Sequence, residues 1–255
     1  RLMRIAKFLV GSDIRFGMVD GPELELFKGH PLYAGYETTG ERVAIKDVQL
    51  LPPALPTTKI ICIGKNYADH AAEMGGEAPA EPLIFLKPNT SLIGEGEAIR
   101  IPKISERVDH EVELAVVIGA IAKDVAAKDA LDYVWGYTIA NDVTARDLQD
   151  KDGQWTRAKG FDSFCPLGPW VETEFEIDDQ VVEARVDGEL RQHGRLNQMI
   201  HGVPRIIEHV TQVMTLMPGD VILTGTPAGI GPIEAGQVVE VSIEGIGSLT
   251  NPVSA

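Results

Sequence analysis

The sequence predicts an α+β protein that is mainly β: a mixed sandwich or roll with a few helices, preceded by a small β-rich domain. Three observations point there. The 255 residues include 26 glycines and 16 prolines, spread along the chain as turns between many short strands require. The apolar runs are mostly short and β-branched. Helical spacing is confined to a few segments, without the regular strand–helix alternation of a parallel βαβ sheet.

The elements are taken in chain order. Ile5–Val10 and Arg15–Val19 alternate as short strands, 29–40 reads as a loop, and Val43–Leu50 reads as another strand. Pro52, Pro53 and Pro56 then forbid both helix and ladder. They place a domain boundary, with residues 1–55 as the N-terminal β-rich domain and 56–255 as the main one. A unit of about fifty residues is marginal alone, so it is expected to pack on the main domain. Lys59–Ile63 is a strand, and Tyr67–Met74 a short helix capped by Asn66 and stopped at Gly75-Gly76. Glu111–Ile121 is a long strand, Ala126–Val134 is helical through Ala130, Leu131 and Val134, and Trp135–Ala140 is again a strand. Val181–Asp187 and Glu189–Gln192 flank Gly188 as a tight hairpin. Ile200–Leu216 has the spacing of an amphipathic helix, with Ile206, Ile207, Val210, Val213 and Met214 on its apolar side. Val221–Thr224 and Val238–Ile243 are the closing strands.

Composition narrows the function. Hydrophobic residues are 44% and charged residues 24%, an ordinary globular balance. Acids outnumber bases 38 to 23, for a net charge of −15. Such a body repels nucleic acids and anionic membranes, so neither is expected as a partner, and an anionic substrate would need a local positive charge. The longest apolar run, Leu114–Ala122, is nine residues, about half of a membrane-spanning helix. The start of the chain is too short and polar for a signal peptide, and Arg1 and Leu2 before Met3 read as an expression scar. Cys62 and Cys165 show no CxxC or zinc spacing and read as reduced thiols, so a cytoplasmic location is expected.

The chemistry concentrates in Val108–Gly119. On a strand, Glu111 and Glu113 point to one side, followed there by Ala115 and Val117, while Val112, Leu114, Val116 and Ile118 fill the other. Apolar residues on both faces mean a buried strand, and two like charges entering it need a cation. Asp142, at the end of the next strand, is a third candidate ligand; as the N-cap of a following helix it would have a structural role instead. Three carboxylates suit Mg²⁺ or Mn²⁺, and the absence of a His or Cys cluster argues against zinc. His70 and Glu73 share a helix face at i, i+3. They form either a surface pair or a carboxylate-oriented imidazole that takes a proton from water, on a segment that the following glycines would let move as a lid. Lys159 is either solvated or the cation for an enolate or carboxylate. Leu223–Gly231 is no phosphate loop, since it lacks both GxxxxGK[ST] and a helix-opening GxGxxG. Its free N–H groups and the Thr226 hydroxyl suit a carboxylate.

Together these segments resemble the fumarylacetoacetate hydrolase family, in its small bacterial-type branch. The resemblance lies in Gly64–Glu73, Lys87-Pro88, Asp109–Leu114, Asn141–Asp147, Lys159–Asp162 and Leu223–Pro227, in family order from about residue 57 onward. The first fifty or so residues resemble the variable small domain that precedes the core in these proteins. The resemblance implies a mixed β-sandwich roll, usually a homodimer, with Mg²⁺ or Mn²⁺ on Glu111, Glu113 and Asp142. It implies His70 and Glu73 as an acid/base dyad on a mobile lid, and Lys159 and Arg146 beside the substrate. Gln149 would contact the substrate, and Gly225 and Thr226 would receive its carboxylate. The implied substrate is a 2-oxo acid whose C3–C4 bond breaks to leave an enolate, which the cation and Lys159 stabilise. Decarboxylation of oxaloacetate or a similar 2-oxo diacid leads, because the short chain leaves little wall for a large acyl group and basic residues are available for a second carboxylate. Hydrolysis of an acylpyruvate and isomerisation of 2-hydroxyhepta-2,4-diene-1,7-dioate are the alternatives. A non-enzymatic β-roll binding module with a structural cation is a further one, but it would not need His70 beside Glu73.

Overall fold

The structure, a computed structural model, describes residues 3–255; Arg1 and Leu2, the residues that read as a scar, lie outside the described residues. Arg4–Val10 (β1), Asp13–Asp20 (β2), Glu23–Phe27 (β3) and Thr38–Ala44 (β4) form an antiparallel meander, and Gln49–Leu51 (β5) returns to pair with β1. Ala6, Phe8, Leu24 and Leu26 bury one face of it. The stretch expected as one strand from Val43 to Leu50 is two strands, separated by a 3₁₀ turn at Ile45–Asp47. The expected loop 29–40 contains a helical turn, Pro31–Ala34, which His30 caps by accepting from the Leu32 N–H.

The main part of the chain supplies Ile60–Gly64 (β6), Ala68–Glu73 (α1), Leu83–Lys87 (β7), Val108–His110 (β8), Val112–Ile118 (β9) and Val134–Asn141 (β10). Next come Arg146–Asp152 (α2), Thr156–Lys159 (α3), Cys165–Glu172 (β11), Val181–Val186 (β12), Glu189–Arg195 (β13) and Val203–Val213 (α4). Val221–Leu223 (β14), Val238–Ile243 (β15) and Gly247–Ser254 (β16) close the chain. The large sheet runs β4-β3-β2-β1-β11-β10-β9-β14-β6-β7. Arg4 pairs with Glu172 and Ile5 with Val171, so the N-terminal strands continue the main sheet across the proline segment. A five-stranded sheet, β13-β12-β15-β16 plus Ile99–Arg100, lies against it. The β12–β13 turn has positive φ at both Asp187 and Gly188, the geometry of a type I′ hairpin.

Strand β9 fixes the interior. Val112, Leu114, Val116 and Ile118 pack into the core shared with β12, β15 and α4. Ala115 and Val117 face a second core with Cys62, Cys165 and Leu223. Each fully buried aliphatic side chain there contributes about 1.5–3 kcal/mol. The strand ends at Ile118, short of the expected Ile121, which is exposed. At the other end Glu111 separates β8 from β9, and its N–H donates to Asn141 Oδ1 at 2.9 Å.

Three further expectations change. Ala127–Tyr133 winds as a 3₁₀ helix with only Ala130 buried; it has no side-chain N-cap. Val213 ends α4 with an exposed side chain, while Met214 and Leu216 after it return to the core. Asn66 does not cap α1, whose N-cap is Tyr67. The Asn66 amide instead donates to the Thr224 and His201 carbonyls, and its Oδ1 accepts from the His201 N–H, tying the start of α1 to two distant segments.

Candidate active site

Glu111, Glu113 and Asp142 converge where β8 passes into β9 and β10 ends, and one carboxylate oxygen of each lies within 4.8 Å of the others. The backbone sets this up: Asp142 N–H donates to Glu111 O at 2.8 Å, while Glu113 points, as alternation requires, to the side opposite Val112 and Leu114. All three are buried. Asp142 is not a helix cap, since α2 begins four residues later with Ala145 as its N-cap.

The cations around them are unevenly distributed. Lys159 Nζ donates to Glu111 Oε2 at 2.9 Å and to Asp142 Oδ2 at 2.7 Å. Lys87, wholly buried on β7, donates to Asp142 Oδ1 at 2.5 Å and to the Val143 carbonyl. Arg146 spends its guanidinium on Asp109, Gln149 and Glu111. Burial pushes Glu111 up, but Lys159 and Arg146 together hold it well below the usual carboxylate range. Burial would likewise lower Lys159, and Asp142 and Glu111 outweigh it, so the ammonium keeps its proton. Glu113 differs. It accepts the Gly225 N–H at 2.7 Å but pairs with no Lys or Arg among the described residues. Burial first, then Asp142 and Glu111, drive its carboxyl well above the usual range.

A buried carboxylate short of positive charge, beside two others, is what a hard divalent cation would satisfy. The donor set, all oxygen with no sulfur or imidazole, fits Mg²⁺ or Mn²⁺.

His70 is buried on α1, with Nδ1 3.2 Å from Glu73 Oε2. Glu73 is in turn fixed by the Gly229 N–H, at 3.1 and 3.3 Å from its two oxygens. Two N–H groups of the glycine-rich loop thus hold the protein's own carboxylates, Gly225 to Glu113 and Gly229 to Glu73. A Cβ at Gly225 would lie 2.7 Å from that of Asn66, and its φ is +101°, so only glycine brings this N–H to Glu113. The Thr226 hydroxyl donates to Val112 O and accepts from Gln192, so it too is engaged within the protein although it lines the cavity. Gln149 also lines the cavity; its Oε1 takes Arg146 and its amide NH₂ remains for a ligand.

Phe85 and Trp155, edge to face at 5.1 Å, form an apolar wall, and Lys159 Nζ sits 5.1 Å from the Phe85 ring centre. Sequence reading missed this wall, the clamp from Lys87 and the role of Asp109 beneath Arg146. Lys87 lies 55 residues from its partner on an edge strand, and no spacing rule connects them. The Lys87-Pro88 pair was the one available signal.

The chain matches two family profiles: fumarylacetoacetate (FAA) hydrolase C-terminal over residues 59–254, and Rv2993c-like, N-terminal, over 3–53. It is similar to the crystal structure of 5-carboxymethyl-2-hydroxymuconate delta-isomerase from Mycobacterium smegmatis, at 47% identity and a TM-score of 0.92, covering 99% of each chain. It is 46% identical to the mitochondrial oxaloacetate decarboxylase of Dictyostelium discoideum, over 74% of this chain and 89% of that one. Fumarylpyruvate hydrolase from Pseudomonas aeruginosa, solved in complex with Mn²⁺ and pyruvate, matches at 31% identity and a TM-score of 0.74, over 81% of this chain and 91% of that one.

Proposed function

We infer the chemistry from one established premise: the chain belongs to the fumarylacetoacetate hydrolase family. We propose that it is a divalent-metal-dependent enzyme that breaks the C3–C4 bond of a 2-oxo acid, with decarboxylation of oxaloacetate or a similar 2-oxo diacid as its leading reaction. The observation that carries this is Glu113, a buried carboxylate that lies beside Glu111 and Asp142 and pairs with no cationic side chain among the described residues. These three residues would hold Mg²⁺ or Mn²⁺, which supplies Lewis-acid polarisation of a 2-oxo acid when bound.

The chain's own groups then have separable tasks. Gln149 offers its amide NH₂ to the substrate carboxylate. When the C3–C4 bond breaks, its electron pair passes into a C2–C3 enolate, and Lys159 places a retained positive charge beside that oxygen. Carbon dioxide leaves without a nucleophile, and a proton delivered to C3 gives pyruvate. Phe85 and Trp155 exclude water from one side of the cavity.

Hydrolysis of an acylpyruvate is the second reading, favoured by one specific contact. His70 Nδ1 meets Glu73, and Gly229 fixes Glu73 in turn, which is the arrangement of an oriented general base. Isomerisation of an unsaturated hydroxy-diacid, in which one carbon loses a proton and another gains one with no C–C bond broken, is a third reading, supported by the similarity to the M. smegmatis isomerase. Turnover of oxaloacetate and of acetylpyruvate by metal-stripped and metal-restored protein tests the proposal.

A further inference from the structure

We propose that Lys65 selects a 2-oxo diacid by pairing with the carboxylate at the end of the substrate remote from its 2-oxo acid group; this rests on the proposed function of the site. The case is made by which charges are already spent. Lys159, Lys87 and Arg146 are each committed to carboxylates within 2.9 Å. Arg107, in the adjoining pocket, is held by both oxygens of Asp109. Lys65 lines the same cavity as the three acids, is half-buried, and pairs with no acid among the described residues. In a chain of net charge −15, Lys65 is, among the described residues, the one cation in the lining of this cavity that no acid neutralises.

The backbone puts it there. Lys65 comes directly after β6 and has φ of 55°, a region disfavoured for residues with a Cβ. That turn sends the side chain toward the segment after α1, where a Cβ on Gly76 would stand 3.1 Å from Lys65 Nζ. Glycine at 76 leaves room for the ammonium. Ile63, Met74, Phe85 and Trp155 supply the apolar part of the lining and offer the second carboxylate no rival charge.

The chemistry fixes which constant responds. The far carboxylate keeps most of its negative charge until the C3–C4 bond is largely broken, so a cation on it binds substrate and transition state nearly alike. Lys65 therefore raises kcat/KM through KM and leaves kcat little changed.

The test compares wild type, Lys65→Met and Lys65→Arg with saturating Mn²⁺ on oxaloacetate and on acetylpyruvate, whose far end is neutral. Lys65→Met is expected to lower the oxaloacetate-to-acetylpyruvate ratio of kcat/KM by about 10- to 100-fold, the worth of one hydrogen bond to a charged group, and to do so through KM. Lys65→Arg should restore most of it. Independently of turnover, acetylation of Lys65 read by peptide mass spectrometry should be slowed more by malate, a non-decarboxylating 2-hydroxy diacid, than by lactate. Equal losses on both substrates, or labelling indifferent to the second carboxylate, would overturn the role of Lys65 and leave the proposed function of the site standing. A wild-type protein that turned over neither substrate would overturn that function, and this proposal with it.

Discussion

Lys87 and Lys159 hold Asp142 between them, one ammonium 2.5 Å from Oδ1 and the other 2.7 Å from Oδ2, and all three side chains are buried. The carboxylate thus has one fixed orientation and keeps its charge in a region where an unpaired ion would be costly. Removing either lysine should be felt differently, because Lys159 also serves Glu111 while Lys87 serves Asp142 and the Val143 carbonyl.

Lys87→Met is expected to destabilise the metal-free protein by about 3 kcal/mol, the lower range for breaking a buried pair, since Lys159 still faces Asp142. For a chain of this size that is about 6–12 °C in Tm, and thermal unfolding checks it. An unchanged Tm would mean that Asp142 does not need its second cation.

His70→Ala separates the two chemistries. Activation of water by a general base is typically worth about 10²- to 10⁴-fold, so acylpyruvate hydrolysis should fall by that factor. Oxaloacetate decarboxylation, which needs no nucleophile, should fall less. Lys159→Ala should damage both, because both form the same enolate. Steady-state rates on both substrates decide; equal losses for His70→Ala would place the imidazole in a shared step.

The two thiols should be silent in the folded protein. Burial pushes Cys165 up to about 12 and Cys62 well above its ordinary value, so thiolate is scarce at pH 8. Both side chains are inaccessible as well. An aromatic disulfide reagent should find no reactive thiol in native protein and two per chain after unfolding. Fast native labelling would show that the core around β6 and β11 opens.

The site was legible where chemistry coincides with short-range spacing. Glu111 and Glu113 share a strand face, the apolar alternation of Val112–Ile118 announced burial, and the i, i+3 step put His70 near Glu73. The pattern could not show that Glu111 sits in a break between strands, held by Asn141 and Arg146, because those partners come from elsewhere in the chain. The loop after β14 gives its Gly225 and Gly229 N–H groups to Glu113 and Glu73, and a sequence does not say which acid will reach a free N–H. Asn66 reads locally as a helix cap, yet its amide satisfies carbonyls at Thr224 and His201 that are more than 130 residues away. The 3₁₀ winding of Ala127–Tyr133 and the split of Val43–Leu50 are likewise set by what packs on them. In the N-terminal part, the strand Glu23–Phe27 went unread although Leu24 and Leu26 alternate with Glu23 and Glu25 as a half-buried strand does.

The central claim is that Glu111, Glu113 and Asp142 hold a divalent cation on which turnover of a 2-oxo acid depends. The most direct measurement is pyruvate formation from oxaloacetate and from acetylpyruvate, in wild type and Glu111→Ala, after chelator treatment and again after Mn²⁺ is restored. Each rate is corrected for that of the ion alone. The account predicts that wild-type turnover is lost with the metal and regained with it, and that Glu111→Ala remains inactive and binds Mn²⁺ more weakly by calorimetry. Full activity in chelator-treated Glu111→Ala protein would contradict it.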